Sequence, residues 1–244
     1  MVDKKEIMRL LRYYFATTGK ITISDEGLVS CNGYVILRQG TKHERLPVAF
    51  DRVDGNFHCT NNYLTTLEGA PNSVSGDFAC YNNQLTFLKH APNSVGGDFY
   101  CGSNDLTTLE GAPKSVIGMF DCGFNRLTTL EGAPNSVGGD FFCTGNKLTT
   151  LEHSPNSVGV DFNCSGNKLT SLEGLPVVPG TLYLSYSPTL PLLRCLLAKK
   201  VVTTKPENST VQDILNQYAG QGEAGAFECG AELATAGYKE NARW

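Results

Sequence analysis

A period of 21 residues governs this chain. Cysteines recur at Cys59, Cys80, Cys101, Cys122, Cys143 and Cys164; an asparagine follows each by three residues, from Asn62 to Asn167, and a leucine comes two residues later, from Leu64 to Leu169. The fullest unit, residues 94–114, reads SVGGDFYCGSNDLTTLEGAPK. A unit of this length cannot bury its apolar side alone, so successive units must stack and share one continuous core. The chain is therefore read as an α/β solenoid of 21-residue repeats with one parallel sheet on its concave face.

Each part of the unit has a physical task. Phe99 and Cys101 are two residues apart, so they point to the same side of a strand, toward the core. The asparagine before the leucine is placed to hydrogen-bond the backbone of the turning loop, and stacked copies would form an asparagine ladder. The leucines of Leu-Thr-Thr-Leu fill the space behind the strand. Proline fixes the return segment, and the glycine pair permits the turn into the next strand.

The open ends of such a stack expose core and strand edges, so caps are expected. Residues 3–17 read as a helix with Ile7, Leu10, Leu11 and Tyr14 on one face, followed by strand-like segments 20–24, 27–31 and 33–38. Val29 and Cys31 fit the inward Phe and Cys places of a divergent first coil. Residues 181–186 read as a seventh coil with Leu182 and Leu184 inward, and 190–199 as a helix. A further helix begins near Ser209 as N-cap, with Val211, Ile214, Leu215 and Tyr218 on one stripe, and 223–236 form a last helix weakened by glycines. The organisation is then an N-terminal helix and β cap (1–43), a repeat solenoid (44–189) and a C-terminal helical cap (190–244).

A net charge of −4 argues against a general nucleic-acid binder, whose footprint is a concentrated positive field. The charged start MVDKKEIMRLLRYYF lacks the apolar run of a signal peptide, and no stretch approaches a membrane span, so the chain is expected to stay in the cytoplasm. Nine cysteines there are expected as free thiols.

Over residues 44–190 the pattern resembles the leucine-rich repeat, LxxLxLxxNxL, in the short form with a proline-containing return found in some bacterial effectors. Phenylalanine stands for the first strand leucine and cysteine for the second, while a valine one position early replaces the repeat's first leucine. With endings such as LLRCLLAKK and YAGQGEAGAFECGAELATAGYKENARW, the whole chain resembles a group of uncharacterised repeat proteins of tailed bacteriophages. The resemblance implies an accessory protein in the cytoplasm of the infected bacterial host that binds and inhibits a host protein, anti-phage defence proteins among them.

Residues beside the inward Phe and Cys should face outward. The position before Phe reads Asn56, Asp77, Asp98, Met119, Asp140, Asp161. These side chains either bond neighbouring backbone amides or form an acidic strip for a basic partner or metal. Between Phe and Cys stand His58, Ala79, Tyr100, Asp121, Phe142 and Asn163, where nothing repeats. With Tyr81 and Phe124 just past the cysteines, Tyr100, Met119 and Phe142 are expected to form one binding patch edged by Asp98, Asp121 and Asp140, unless some tuck against neighbouring coils. After the asparagine, Arg126, Lys147 and Lys168 make a basic edge, either solvated or available to phosphate or an acidic partner. Glu68, Glu110, Glu131, Glu152 and Glu173 belong to the return loop.

The cysteine line is read as small buried hydrophobes, because zinc sites need compact ligand clusters and the chain has no Cys-x-x-Cys. No catalytic motif is present; His58 beside Asp77 is the nearest acid–base pair, and such pairs are usually surface contacts. The expected function is non-enzymatic binding, with no cofactor and no metal. Two other readings stay open: sequestration of a small nucleotide signal, which needs cations absent from the inner strand positions, and a structural virion role. The exposed aromatics could also serve a homodimer.

Overall fold

The computed structural model describes residues 2–204 and 209–244. It is a parallel β-solenoid of about 8 turns with a spacing of about 21 residues. The strands Phe57–His58, Phe78–Ala79, Phe99–Tyr100, Phe120–Asp121, Phe141–Phe142 and Phe162–Asn163 lie side by side in one ten-stranded sheet. Val35–Leu37 precedes them, and Val178–Ser185 and Ala198–Thr204 follow, all parallel. Phe15–Thr17 closes the first edge antiparallel.

The register is fixed by identity: Phe99 pairs with Phe78 and Phe120, and Tyr100 with Ala79 and Asp121. The six rings from Phe57 to Phe162 are fully buried and follow one another at 5.2–5.7 Å between centroids. The cysteines two residues on, and both leucines of each Leu-Thr-Thr-Leu segment, line the same core.

The single sheet expected from sequence is incomplete. The Ser-Val pair that opens each unit is also a strand, and these strands form a second line with their valines buried, from Ser73–Val74 to Ser157–Val158. That line is split into a five-stranded and a three-stranded sheet. Val29 and Cys31 belong here and not to the phenylalanine line: Cys31 pairs with Val53, while Val35 and Phe57 pair in the long sheet. Leu37 is the buried residue two beyond Val35. Leu182 does face Phe162 in register, and Leu182 and Leu184 are both buried.

The asparagines hold the coils together. Nδ2 of Asn125 donates to the carbonyls of Cys101 in the coil before (3.1 Å) and of Cys122 in its own coil (3.0 Å), while its Oδ1 accepts the Leu106 N–H at 3.0 Å. Asn104, Asn146 and Asn167 repeat the pattern. Each amide thus satisfies buried groups of two coils, which costs much to leave undone.

At the start, Lys4–Tyr14 is helical, and the Asp3 carboxylate accepts the Lys5 and Glu6 N–H groups. At the far end, residues 190–199 are not one helix. A short 3-10 turn, Leu193–Leu197, leads straight into the strand Ala198–Thr204, so the sheet runs past residue 189 just as it begins before residue 44. The β-branched run Val201–Thr204 favours an extended chain over helix. The next helix, Ser209–Tyr218, covers that last strand: Asn216 bonds both Val201 N–H and C=O, and the Gln212 carbonyl accepts the Thr203 N–H. Ser209 is its first helical residue, and the residues that would settle its capping role, 205–208, lie outside the described residues. Ala226–Thr235 forms the last helix.

Replacing Asn125 by Ala strands the Leu106 N–H in the core and takes one of two asparagine donors from each of the Cys101 and Cys122 carbonyls, which keep those of Asn104 and Asn146. The expected loss is about 3 kcal/mol of unfolding free energy by urea titration, and a loss below about 0.5 kcal/mol would show that the ladder is dispensable.

Candidate functional site

The residues between Phe and Cys form one line across the long sheet: Ile36, His58, Ala79, Tyr100, Asp121, Phe142, Asn163, Tyr183 and Val202, each in register with the next. Strand neighbours sit about 4.8 Å apart, so side chains on this line are direct neighbours. Ala79 is buried, Ile36 is exposed, and the rest are half-buried.

The aspartates beside this line have a structural task. Oδ1 of Asp77 accepts the Asp98 N–H (2.9 Å), Oδ1 of Asp98 the Met119 N–H (2.7 Å), Oδ1 of Asp140 the Asp161 N–H (2.9 Å) and Oδ1 of Asp161 the Thr181 N–H (2.7 Å). Asn56 begins the series by accepting the Asp77 N–H at 3.0 Å, so an amide serves as well as a carboxylate. Gly97 and Gly118 leave the room these bonds need, because a Cβ there would strike the Oδ1 of Asp77 or Asp98. Met119 breaks the ladder: it offers no acceptor, and the Asp140 N–H is left without a hydrogen bond among the described residues.

The same coil carries two further departures. Ile117 replaces Ser or Gly and is 73 % exposed. Phe124 stands where other coils have Asn61, Asn82, Ser103, Gly145 and Gly166, and is 66 % exposed. That position is left-handed in every coil, with φ of +55° at Phe124. Asn and Gly accept such a backbone; a bulky aromatic is an outlier there. Its ring lies over Gly145, where a Cβ would collide with it.

Of the other expected patch residues, Tyr81 is exposed, while Tyr100 and Phe142 are half-buried on the line itself. The Tyr100 hydroxyl donates to Asp98 Oδ2 at 2.7 Å, and burial followed by this bond raises its pKa. Burial also raises the Asp121 carboxyl, partly offset by the Gly123 N–H that it accepts at 2.8 Å. His58 is shifted down by burial against the opposing pull of Asp77. Along the neighbouring edge, Arg126 already pairs with Asp105 at 2.7 Å, while Lys147 and Lys168 are exposed.

All nine cysteines are free and buried, and Cys31 lies in the valine line rather than the cysteine line. Burial pushes the Cys59 and Cys164 thiols up to about 12. Among the described residues no three His, Cys, Asp or Glu side chains gather in a metal-holding group. None of their helices is long and apolar enough to cross a membrane.

Two depressions lie at the ends of the coil. One is lined by Lys4, Lys5, Met8, Arg9, Arg12 and Tyr13, another by Pro179, Thr181, Lys199, Lys200 and Asn216. Neither includes Tyr100, Asp121, Phe124 or Phe142. No protein-family model matches the chain, and no curated protein matches it.

Two outcomes follow. Phe124→Gly removes left-handed strain of about 1–3 kcal/mol against a glycine entropy cost of about 0.5–1 kcal/mol. The variant is expected to melt higher, by roughly 2–4 °C in calorimetry; a lower melting temperature would show that the ring supports the fold. Asp121 has a raised folded-state pKa, so folding is penalised once the carboxyl ionises. The penalty is absent below the unfolded pKa and grows as pH rises through the carboxylate range. Asp121→Asn keeps the acceptor for Gly123, and its melting temperature is expected to overtake the wild type's from about pH 4 upward; a gap independent of pH would refute the burial penalty.

Proposed function

We propose that this chain is a non-enzymatic binding protein that engages a macromolecular partner through the outer face of its long sheet. The observation that carries the reading is the line between Phe and Cys: six coils place six different side chains, from His58 to Asn163, between two residues that do not vary. Positions that hold the coil together repeat, so a position free to vary on the surface stores recognition without harming the fold. Phe124 adds to this, because an exposed aromatic held at a backbone cost points to a use outside the core. The side chains of this line are spread in register over successive coils, which suits a broad partner better than an enclosed small ligand. On this face nothing favours the nucleotide reading, since Arg126 is paired and Lys147 and Lys168 lie on the neighbouring edge; the cations that gather elsewhere line the depressions at the coil ends.

The reading of the coil as leucine-rich-repeat-like is supported by the Phe-x-Cys-x-x-Asn-x-Leu pattern and its asparagine ladder; the second strand line is its departure. We take the terminal helices as caps: Gln212 and Asn216 bond the last strand, and Leu11 of the first helix is buried in the core. The resemblance to repeat proteins of tailed bacteriophages supports an accessory role in the infected bacterial host, with a host protein, such as a defence protein, as the partner.

The test uses only residues the repeat itself places at equivalent positions. Tagged wild type and a Tyr100→Ala/Phe124→Gly/Phe142→Asn variant, both shown folded by circular dichroism, are compared as baits in bacterial lysate with mass-spectrometric identification. A protein retained by the wild type and reduced at least tenfold on the variant is expected. Equal recovery by both baits would move the binding site off this face.

A further inference from the structure

The chemistry of the face says what kind of partner it accepts. Five carboxylates stand on or beside the outward line, Asp77, Asp98, Asp121, Asp140 and Asp161. Among the described residues none of them forms an ion pair; the acidic partners in the chain's ion pairs are Glu6, Asp25, Asp54, Glu68, Asp105 and Glu240. Oδ2 of Asp77 accepts from Asn56 and Oδ2 of Asp98 from Tyr100, but among the described residues Oδ2 takes no hydrogen bond in Asp121 and Asp140, on adjacent coils, or in Asp161. Met119 and Phe124 lie on the same coil as Asp121, and Phe142 is its register neighbour on the next.

Covering this face removes water from those carboxylates. An apolar partner would leave them buried and unpaired, which is costly, and an anionic partner would add repulsion. A second copy packed face to face would set carboxylates against carboxylates. The partner must therefore bring cations of its own. Half-buried and exposed aromatic rings beside the carboxylates suit the same group, since a guanidinium or ammonium is attracted to a ring face and its alkyl stem packs on apolar surface.

Resting on the binding reading above, we infer that the occupant of this face is a basic protein segment, with a lysine or arginine seated between Asp121 and Asp140 and apolar side chains placed on Met119, Phe124 and Phe142. The ionisation of the Tyr100 hydroxyl is opposed first by burial and then by Asp98, Asp77 and Asp121, and these carboxylates agree with this field.

A display library of random 12-residue peptides, selected on the full folded chain, tests the inference. Selected peptides are measured by fluorescence anisotropy against the wild type, Asp121→Asn/Asp140→Asn and the Tyr100→Ala/Phe124→Gly/Phe142→Asn variant. Asparagine keeps the backbone bond at both positions, as Asn56 does in the ladder and as Asn163 does for the Ser165 N–H at the place equivalent to Asp121, so the charge variant removes charge without removing an acceptor. The expected result is enrichment of Lys and Arg over the input, at least tenfold weaker binding to the charge variant, and binding that falls with added salt. Peptides without such enrichment, peptides that bind the charge variant as tightly as the wild type, or the recovery of no binders would each overturn the inference. Peptides lost on the aromatic variant but kept on the charge variant would sink the cationic partner and leave the face standing. Peptides bound equally by all three proteins would sink both. Sedimentation of the free chain covers the remaining occupant: self-association that blocks peptide binding would assign the face to a second copy and overturn the inference.

Discussion

The structure depends on how each coil satisfies its buried backbone. In the six regular coils the strands are two residues long; coil-to-coil backbone bonds continue past them into the turn after each cysteine, as from Ser103 N–H to Gly123 C=O, and a side chain must also tie that turn to both coils. The asparagine three residues on does so, by bonding one carbonyl in its own coil and one in the coil before. Because one side chain must reach both, neighbouring coils cannot slip by a residue. Identical positions are forced side by side, and the phenylalanine stack, the cysteine line and the outward line all follow from that register.

The same constraint separates folding from recognition. Phe, Cys, Asn and Leu hold the coil and are buried almost completely, so substitutions there act on stability. The aspartates before Phe share the task through their Oδ1 atoms, while Oδ2 of Asp77 accepts from Asn56 and Oδ2 of Asp98 from Tyr100. One coil, residues 115–135, relaxes the pattern in three places at once, with Ile117, Met119 and Phe124. Each gives up a local preference: small size at a turn, an acceptor for the Asp140 N–H, and a residue suited to left-handed backbone. Such local violations inside an otherwise consistent repeat are expected where function opposes stability.

Much of this was legible because the period is strict. The inward Phe and Cys, the asparagine ladder and the places of Leu182 and Leu184 follow from spacing and strand alternation. The second strand line was not, since a Ser-Val pair is too short to show alternation. Val29 and Cys31 mimic the Phe-x-Cys spacing, which hid their place in that line. The leucines of 190–197 masked the strand after them, though the β-branched run from Val201 to Thr204 signalled it. The aspartate ladder joins two coils, so one unit read alone cannot reveal it. Its trace was a position accepting Asn or Asp, the two residues that share an Oδ1. The exposure of Phe124 could be read from its equivalents, because Asn and Gly at one position mark a left-handed turn that a large side chain cannot enter inward.

The most direct test of the division between holding and recognising is a saturation scan of residues 115–142, scored in parallel for folded protein and for capture of the partner. The account requires substitutions at Met119, Asp121, Phe124 and Phe142 to reduce capture while the folded fraction stays level. Those at Phe120, Cys122, Asn125 and Leu127 should lower both together. Capture that simply tracks the folded fraction at every position would contradict it, and the outward line would then be no more than surface.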